Sequence, residues 1–313
     1  MGKKSILITC PPMLGMKDQF LERLACIDID AFCPQVTQTL SEDELIKLTP
    51  DFDGWIIGDD PVTRDVLFAG TSGKLRAAVK WGIGTDNIDF AAFEEFNIPI
   101  ENTPGVFGDE VADLAIGYLI GLARETYYID REVRNGNWPK NRGISLRDKT
   151  VAIIGYGDIG SNLSKKLIAF GMHVIAYDPY NQESIKNNIE FATWPNRLEE
   201  CDFIIFACQL NDETFHMFNS NTMDLCKDGV RIINVSRGPL IDEETLVKSL
   251  ESGKIHSAAL DVFESEPLPI NSELRANPAC IFGSHNGSNT NEAVIKTNNI
   301  AIAKLLNMLG IRE

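Results

Sequence analysis

The stretch Thr150-Val-Ala-Ile-Ile-Gly155-Tyr156-Gly157-Asp158-Ile159-Gly160 restricts the possible folds more than any other part of the chain. A buried-strand pattern runs into a Gly-x-Gly-x-x-Gly turn, a helical pattern follows over Asn162 to Phe170, and a second strand pattern, His173-Val-Ile-Ala-Tyr, ends in Asp178. That order is a βαβ unit shaped for a phosphate-bearing ligand. Gly155 permits the tight turn, Gly157 lets backbone approach a pyrophosphate, and Gly160 allows the helix to pack closely on the sheet. Asp178, eighteen residues beyond Gly160, is placed to accept hydrogen bonds from a ribose diol. A lone glycine triplet would say little; here strand, helix and acidic strand end all agree on a dinucleotide site.

Asp178 also separates the two nicotinamide dinucleotides. A 2'-phosphate usually needs a cation, yet Pro179-Tyr-Asn-Gln-Glu183 supplies none and the first to appear is Lys186. NAD is therefore expected over NADP. Asp158 brings a negative charge to the turn, which favours the helix dipole but not a bound anion, so its side chain is expected to point away from the phosphates.

A length of 313 residues suits about two domains, and 44% hydrophobic residues supply a core for each. The longest apolar run, Leu114 to Ala123, falls well short of the roughly 20 residues of a membrane span and reads as a buried helix. Met1-Gly-Lys-Lys-Ser leads directly into strand-like residues without a signal-peptide pattern, so a cytoplasmic protein is expected. The seven cysteines form no C-x-x-C pair and read as reduced and mostly buried. A formal charge of -16 disfavours nucleic acid and anionic membranes as partners, while a small anionic substrate can still be held by a local cationic pocket.

Two α/β halves are legible. In the first, strand patterns at Ser5 to Thr9, Ile27 to Phe32, Gly54 to Ile57, Ala77 to Lys80 and Ile98-Pro-Ile100 alternate with helical patterns at Lys17 to Ala25, Ser41 to Leu48, Thr63 to Ala69 and Phe90 to Phe96. The second of these helices opens with the capping box Ser41-x-x-Glu44. In the second half, strands are expected near Val151, His173, Phe203, Val230, His256 and Cys280. Such alternation implies doubly wound parallel sheets. Val106 to Tyr127 reads as one long helix between the halves, and Arg134 to Gly143 as a surface loop. Asn289 to Leu309 is helical with no strand after it, so the chain end can return to the first half and leave the nucleotide domain inserted. The expected division is residues 1–102 with 290–313 as substrate domain and residues 103–289 as dinucleotide domain.

Three later strand ends carry chemistry: Ile232-Ile-Asn-Val235-Ser236-Arg237, Asp261-Val-Phe-Glu-Ser-Glu266 and Gly283-Ser-His285-Asn-Gly287. In an open α/β sheet, ligands bind beyond the carboxyl ends of strands, so Arg237, Glu266 and His285 are placed to meet. Arginine can fork onto a carboxylate and polarise the adjacent carbonyl, histidine can exchange the hydroxyl proton, and a neighbouring carboxylate orients the ring and favours its imidazolium form. The other histidines have weaker claims: His173 and His256 lie at strand starts, and His216 lies in a polar helical stretch. Asp59-Asp60 is read as a solvated strand end, and no metal site is expected.

Together with Lys80-Trp-Gly-Ile83-Gly84-Thr-Asp-Asn-Ile-Asp89, Asn102-Thr-Pro-Gly-Val106, Asn234-Val-Ser-Arg-Gly238 and Leu260-Asp-Val-Phe-Glu-Ser-Glu-Pro267, these stretches make the chain resemble the D-isomer-specific 2-hydroxyacid dehydrogenases over nearly its whole length. The resemblance implies a Rossmann NAD-binding domain inserted into a flavodoxin-like substrate domain. It also implies hydride transfer between nicotinamide and C2 of a small 2-hydroxy or 2-oxo acid, with Arg237 binding substrate and Glu266 with His285 handling the proton. Ile83 and Gly84, beside Arg237 and His285, match substrate contacts. Cofactor contacts are implied at Gly155 to Gly160, Asp178, Val235, Ser236, Arg237, Asp261, His285 and Gly287. A homodimer through the nucleotide domains, using the helix around Asp113 to Ala123, is implied as well. The chain departs from the family pattern at Ala207-Cys208-Gln209-Leu-Asn211, at Asp158 where arginine is frequent, and at Ser284-His-Asn-Gly287.

Two alternatives stand beside a dehydrogenase for small 2-oxo acids. One is oxidation of 3-phosphoglycerate, disfavoured by the acidic Asp59-Asp60 where arginine is frequent, although Lys80, Arg64 and Arg142 could supply cations; the chain resembles the short form without a regulatory domain. The other is an NAD(H)-sensing binding protein of corepressor type, disfavoured by the intact Arg237, Glu266 and His285.

Overall fold

The computed structural model describes residues 3–181, 185–186 and 189–311. The chain divides into two units, Met1–Val106 with Asn289–Glu313, and Phe107–Ser288. The second unit is thus an insertion within the first along the sequence.

The first unit is built on five parallel strands, β1 (Lys4–Ile8), β2 (Ile29–Phe32), β3 (Gly54–Ile57), β4 (Ala77–Lys80) and β5 (Ile100–Asn102), in the order β2-β1-β3-β4-β5. That is the flavodoxin-like winding, whose central strands are covered on both faces. Accordingly β3 and β4 are buried at every residue. Leu7, Trp55, Ile57, Val66, Leu67 and Phe93 form one core cluster on this sheet. The capping box at Ser41 is formed: the Glu44 N–H donates to Ser41 Oγ at 3.4 Å and the Ser41 N–H to Glu44 Oε2 at 2.8 Å. The final helix, Asn291–Met308, belongs to this unit. Its Leu305 lies against Gly54, and the Trp81 indole N–H donates to Asn298 Oδ1 at 2.8 Å. Ile302 and Leu305 are fully buried, worth about 1.5–3 kcal/mol each in apolar transfer, which is how the chain end is held on a sheet begun some 300 residues earlier.

The second unit carries β6 (Thr150–Ile154), β7 (His173–Tyr177), β8 (Ile185–Lys186), β9 (Ile189–Phe191), β10 (Phe203–Phe206), β11 (Val230–Asn234), β12 (Ile255–Leu260) and β13 (Cys280–Phe282). Their order is β13-β12-β11-β10-β6-β7-β9-β8, parallel except that β8 pairs antiparallel with β9. The winding reverses between β6 and β10, so a crevice opens beyond the carboxyl ends of these two strands, the usual seat of a ligand in such sheets.

Several boundaries differ from the sequence reading. β8 and β9 were not expected, because runs of two and three residues are too short to show a period. Gln182 and Glu183, the end of the cation-free stretch after Asp178, lie outside the described residues. The strand expected at Ile98-Pro-Ile100 begins only at Ile100, since a proline cannot donate to a sheet ladder. The single helix expected over Val106 to Tyr127 is two, Gly108–Arg124 and Thr126–Arg134. Glu125 separates them in the left-handed region at φ 51°, with its N–H donated to Gly121 O. His216 is in a turn at φ 47° rather than a helix, with Nε2 2.9 Å from Glu264.

Asp60 corrects the reading of a solvated strand end: it is fully buried and accepts hydrogen bonds from the Thr9 hydroxyl, the Leu40 N–H (2.9 Å) and the Gly58 N–H (3.1 Å). Burial pushes its carboxyl above the ordinary value, and these donors offset part of that cost. Asp59 is half exposed and pairs at 2.9 Å with Lys80, itself almost wholly buried. Arg64 is turned to Glu95 at 2.6 Å.

Candidate active site

The glycine turn follows β6 directly. Gly155 stands at φ 97°, a conformation that side-chain-bearing residues rarely adopt, and a Cβ there would lie 2.7 Å from the Cys208 backbone. A Cβ on Gly160 would overlap the carbonyl oxygen of Gly155. Gly157 differs from both: a Cβ on it would meet no protein atom within 4 Å. The fold itself therefore demands glycine at 155 and 160 but not at 157, which is what a backbone surface kept bare for a ligand requires.

The helix Asp158–Ala169 starts four residues before the expected Asn162, with Gly157 as its N-cap. Its first internal bond is Ser161 N–H to Gly157 O at 2.9 Å, so the N–H groups of Asp158, Ile159 and Gly160 precede the intrahelical ladder and sit at the positive end of the helix. The Asp158 carboxylate is directed at Gly108, the first residue of the helix Gly108–Arg124, and accepts from Asn162 Nδ2 at 3.2 Å. The carboxylate thus packs closely against the start of that second helix.

Asp178 ends β7. One oxygen accepts the Tyr156 N–H at 2.8 Å and the other the Tyr180 N–H at 2.9 Å, which fixes the carboxylate beside the turn while each oxygen retains a further lone pair. The Tyr156 ring meets Phe191 edge-on at 5.0 Å. The group of residues fits a dinucleotide: a bare glycine backbone, a helix N-terminus, and a fixed carboxylate at the end of the neighbouring strand.

The loop after β11 carries Val235, Ser236 and Arg237. Asn234 shapes it, with Oδ1 accepting the Ser236 N–H at 3.1 Å and Nδ2 donating to Arg237 O at 2.8 Å. The Ser236 hydroxyl donates to Cys208 O, tying this loop to the turn after β10. Arg237 is half-buried in extended backbone, with one guanidinium N–H donated to Ser236 O at 2.9 Å. Reciprocal bonds between Glu243 and Glu264, 3.0 and 2.7 Å, fasten the next helix to the loop bearing Glu266.

Glu266 and His285 are in contact: Glu266 Oε2 is 2.7 Å from His285 Nδ1, and its Oε1 accepts the Phe263 N–H at 2.9 Å. Both side chains are about one-fifth exposed, 18% and 22%, so the pair is shielded from water yet reachable. His285 is held at φ 55° with its N–H donated to Asp261 O at 2.7 Å. Asp261 is buried, accepts the Gly287 N–H at 2.8 Å, and has its carboxyl pushed upward by burial. Ile83 and Gly84 belong to the first unit, after β4; Ile83 is exposed, and its carbonyl accepts from Asn102 Nδ2 at 3.1 Å. Sequence reasoning missed Asn234 as a loop former and Tyr118 as a donor to Asp261. The first could be suspected from a polar residue closing the apolar strand Val-Arg-Ile-Ile-Asn; the second sits in a helix whose periodicity accounts for it as core.

Chemically, the second unit carries an imidazole in contact with a carboxylate, a guanidinium and a glycine-rich turn on loops that follow the strands of one sheet. The model of the D-isomer specific 2-hydroxyacid dehydrogenase NAD binding domain matches residues 116–287. A hydroxypyruvate reductase of Thermotoga maritima is 36% identical over 280 residues, covering 88% of this chain and 90% of its own. A D-3-phosphoglycerate dehydrogenase of Methanocaldococcus jannaschii is 36% identical over 83% of this chain, but the match spans only 50% of that protein. Among solved structures, a glyoxylate reductase from Paecilomyes thermophila superposes with a TM-score of 0.82 at 26% identity, covering 98% of this chain and 96% of that one.

Proposed function

Because the chain belongs to the D-isomer-specific 2-hydroxyacid dehydrogenase family, an NAD-dependent family of oxidoreductases, we propose that it reduces a small unphosphorylated 2-oxo acid of the glyoxylate or hydroxypyruvate class to the D-2-hydroxy acid. The observation that carries this reading is the 2.7 Å contact of Glu266 with His285 Nδ1 beside the Arg237 loop. NADH, when bound, supplies the hydride to C2. His285, with Nδ1 committed to Glu266, uses Nε2 to protonate the carbonyl oxygen. Glu266 fixes the ring and favours the imidazolium that must give up this proton. Arg237 binds the substrate carboxylate and stabilises the charge developing on the oxygen. Ile83 and Gly84 are assigned to the substrate. The remaining assignments, Gly155 to Gly160 with Asp178 for the dinucleotide and Val235, Ser236, Asp261 and Gly287 around it, make residues 103–289 the cofactor domain.

Two features support an unphosphorylated substrate over 3-phosphoglycerate. Asp59 neutralises Lys80, and Glu95 engages Arg64, so two cations that could have received a phosphate already carry carboxylate partners. We also place the protein in the cytoplasm, in keeping with seven free cysteines, and as a homodimer through the second unit. Among the described residues no helix is long and apolar enough to cross a membrane. The dimer reading is supported by the exposed Tyr127, Val133 and Trp138 and by a cavity of about 210 Å³ lined by Tyr127, Tyr128, Arg131 and Ile281 near the helix Gly108–Arg124. Following NADH absorbance with glyoxylate, hydroxypyruvate, pyruvate, longer 2-oxo acids and phosphohydroxypyruvate tests the activity. Preference for the phosphorylated acid would reverse the substrate assignment.

A further inference from the structure

We infer that Tyr118 is a positioning residue for the His285 loop and acts through Asp261, an inference that rests on the dehydrogenase reading of this site. Tyr118 projects from the middle of the helix Gly108–Arg124 among Val111, Ala115, Leu119 and Leu122, all buried. An aliphatic side chain would satisfy that surrounding; the phenol instead donates its hydroxyl to Asp261 Oδ1 at 3.2 Å. Gly283 passes so close to this pair that a Cβ there would collide with both Asp261 Oδ1 and the Tyr118 oxygen. The hydrogen bond is thus boxed in by the backbone leaving β13 on one side and the helix on the other.

Asp261 grips the catalytic turn through both its main chain and its carboxylate. Its main-chain carbonyl accepts the His285 N–H at 2.7 Å and its Oδ2 accepts the Gly287 N–H at 2.8 Å. Between those anchors His285 stays at φ 55°, a conformation that persists only where the surroundings over-determine it. Tyr118 holds Oδ1 and so helps set the rotamer from which Oδ2 reaches Gly287. Burial favours protonation of Asp261; the Asn286 N–H, the charge of His285, the Gly287 N–H and the Tyr118 hydroxyl oppose it. Tyr127 is the further titratable group facing Tyr118. Without the phenol, Asp261 takes up a proton at higher pH, and in its neutral form it holds Gly287 less firmly and no longer favours the imidazolium of His285.

The test is Tyr118→Phe, which deletes one oxygen atom and leaves the ring in its apolar setting. Hydrogen exchange in the protein without cofactor should show the amides of Gly283 to Gly287 exchanging about threefold to tenfold faster, the range expected for losing one hydrogen bond of ordinary net strength. With the best 2-oxo acid, kcat should fall by a similar factor of about three to ten, KM for the acid should stay within about twofold, and the acid limb of kcat should move to higher pH. Unchanged exchange overturns the inference, as does faster exchange with an unaltered kcat and acid limb. A wild-type protein that reduces none of the acids refutes the dehydrogenase reading, while the exchange comparison still judges the positioning of the loop.

Discussion

Replacing Gly157 with alanine should damage cofactor binding and leave the fold almost untouched, whereas the same change at Gly160 should damage both. A Cβ on residue 157 meets nothing within 4 Å, so the cost in the folded protein is confined to exchanging glycine for alanine at a helix N-cap, about 0.5–1 kcal/mol, offset by a similar loss of freedom in the unfolded chain. Net stability should move by less than about 1 kcal/mol, a shift of some 2–4 °C at most for a unit of this size. The methyl group would stand on the surface assigned to the pyrophosphate. Holding the phosphates off the first-turn N–H groups should weaken NADH by about 10- to 100-fold, or roughly 1.4–2.7 kcal/mol. At residue 160 the Cβ overlaps Gly155 O and lies 3.2 Å from Ile153, so the helix must move off the strand at a cost of about 1–3 kcal/mol or more. Fluorescence titration of NADH together with thermal unfolding separates the two outcomes. If Gly157→Ala bound NADH as tightly as the wild type, the bare surface at Gly157 would not be the pyrophosphate site.

Asp178→Ala should narrow the preference for NADH over NADPH, measured by parallel titration, because the carboxylate that repels a 2'-phosphate is gone; a wild type that already binds NADPH equally well refutes the ribose assignment. His285→Ala should lower turnover by about 10²- to 10⁴-fold with little change in NADH affinity, while Arg237→Ala should also raise KM for the acid, and wild-type rates in both variants would remove these residues from the mechanism. Glu266→Gln should be milder than His285→Ala, with a rate deficit that grows as pH rises because the lost charge no longer favours the imidazolium; a pH-independent deficit contradicts that role. Asp202 supplies a stability test: burial opposes its ionisation, but Lys227 at 2.7 Å and the Thr150 N–H at 3.1 Å outweigh it and hold the carboxyl below its usual range. A depressed folded value means stability present above the unfolded value of about 3.9 and lost as pH falls through the folded one, so Asp202→Asn should destabilise at neutral pH and the difference should vanish in acid.

How much of this was legible in the sequence varied with the physical signal. Strands such as Gly54–Ile57 and Ala77–Lys80 were found at their true limits, because a short apolar run bounded by turns has few alternatives in an α/β chain. The capping box at Ser41 is a local code and reads as one. The helix after the glycine turn begins earlier than its sequence suggests, since Asp158-Ile-Gly160 has the composition of a turn while its backbone satisfies helix geometry. Glu125 could not be expected to take a left-handed conformation, because glutamate has no such preference and tertiary contacts decide it. The burial of Asp60 is hidden from sequence for the same reason: it depends on donors from Thr9 and Leu40, distant in sequence. The contact of Glu266 with His285 was anticipated from strand order, whereas Tyr118 and Asn234 act through hydrogen bonds that no periodicity encodes.

Hydride transfer to a 2-oxo acid is the activity proposed for the unit that holds Arg237, Glu266 and His285. The most direct measurement is the loss of NADH absorbance on adding each acid of the panel to the purified protein, with NADPH in parallel. Steady turnover is expected with NADH and an unphosphorylated acid such as glyoxylate or hydroxypyruvate, and markedly slower turnover with NADPH. A protein that binds NADH but oxidises it with no acid of the panel would contradict the dehydrogenase assignment and leave a nucleotide-sensing fold in its place.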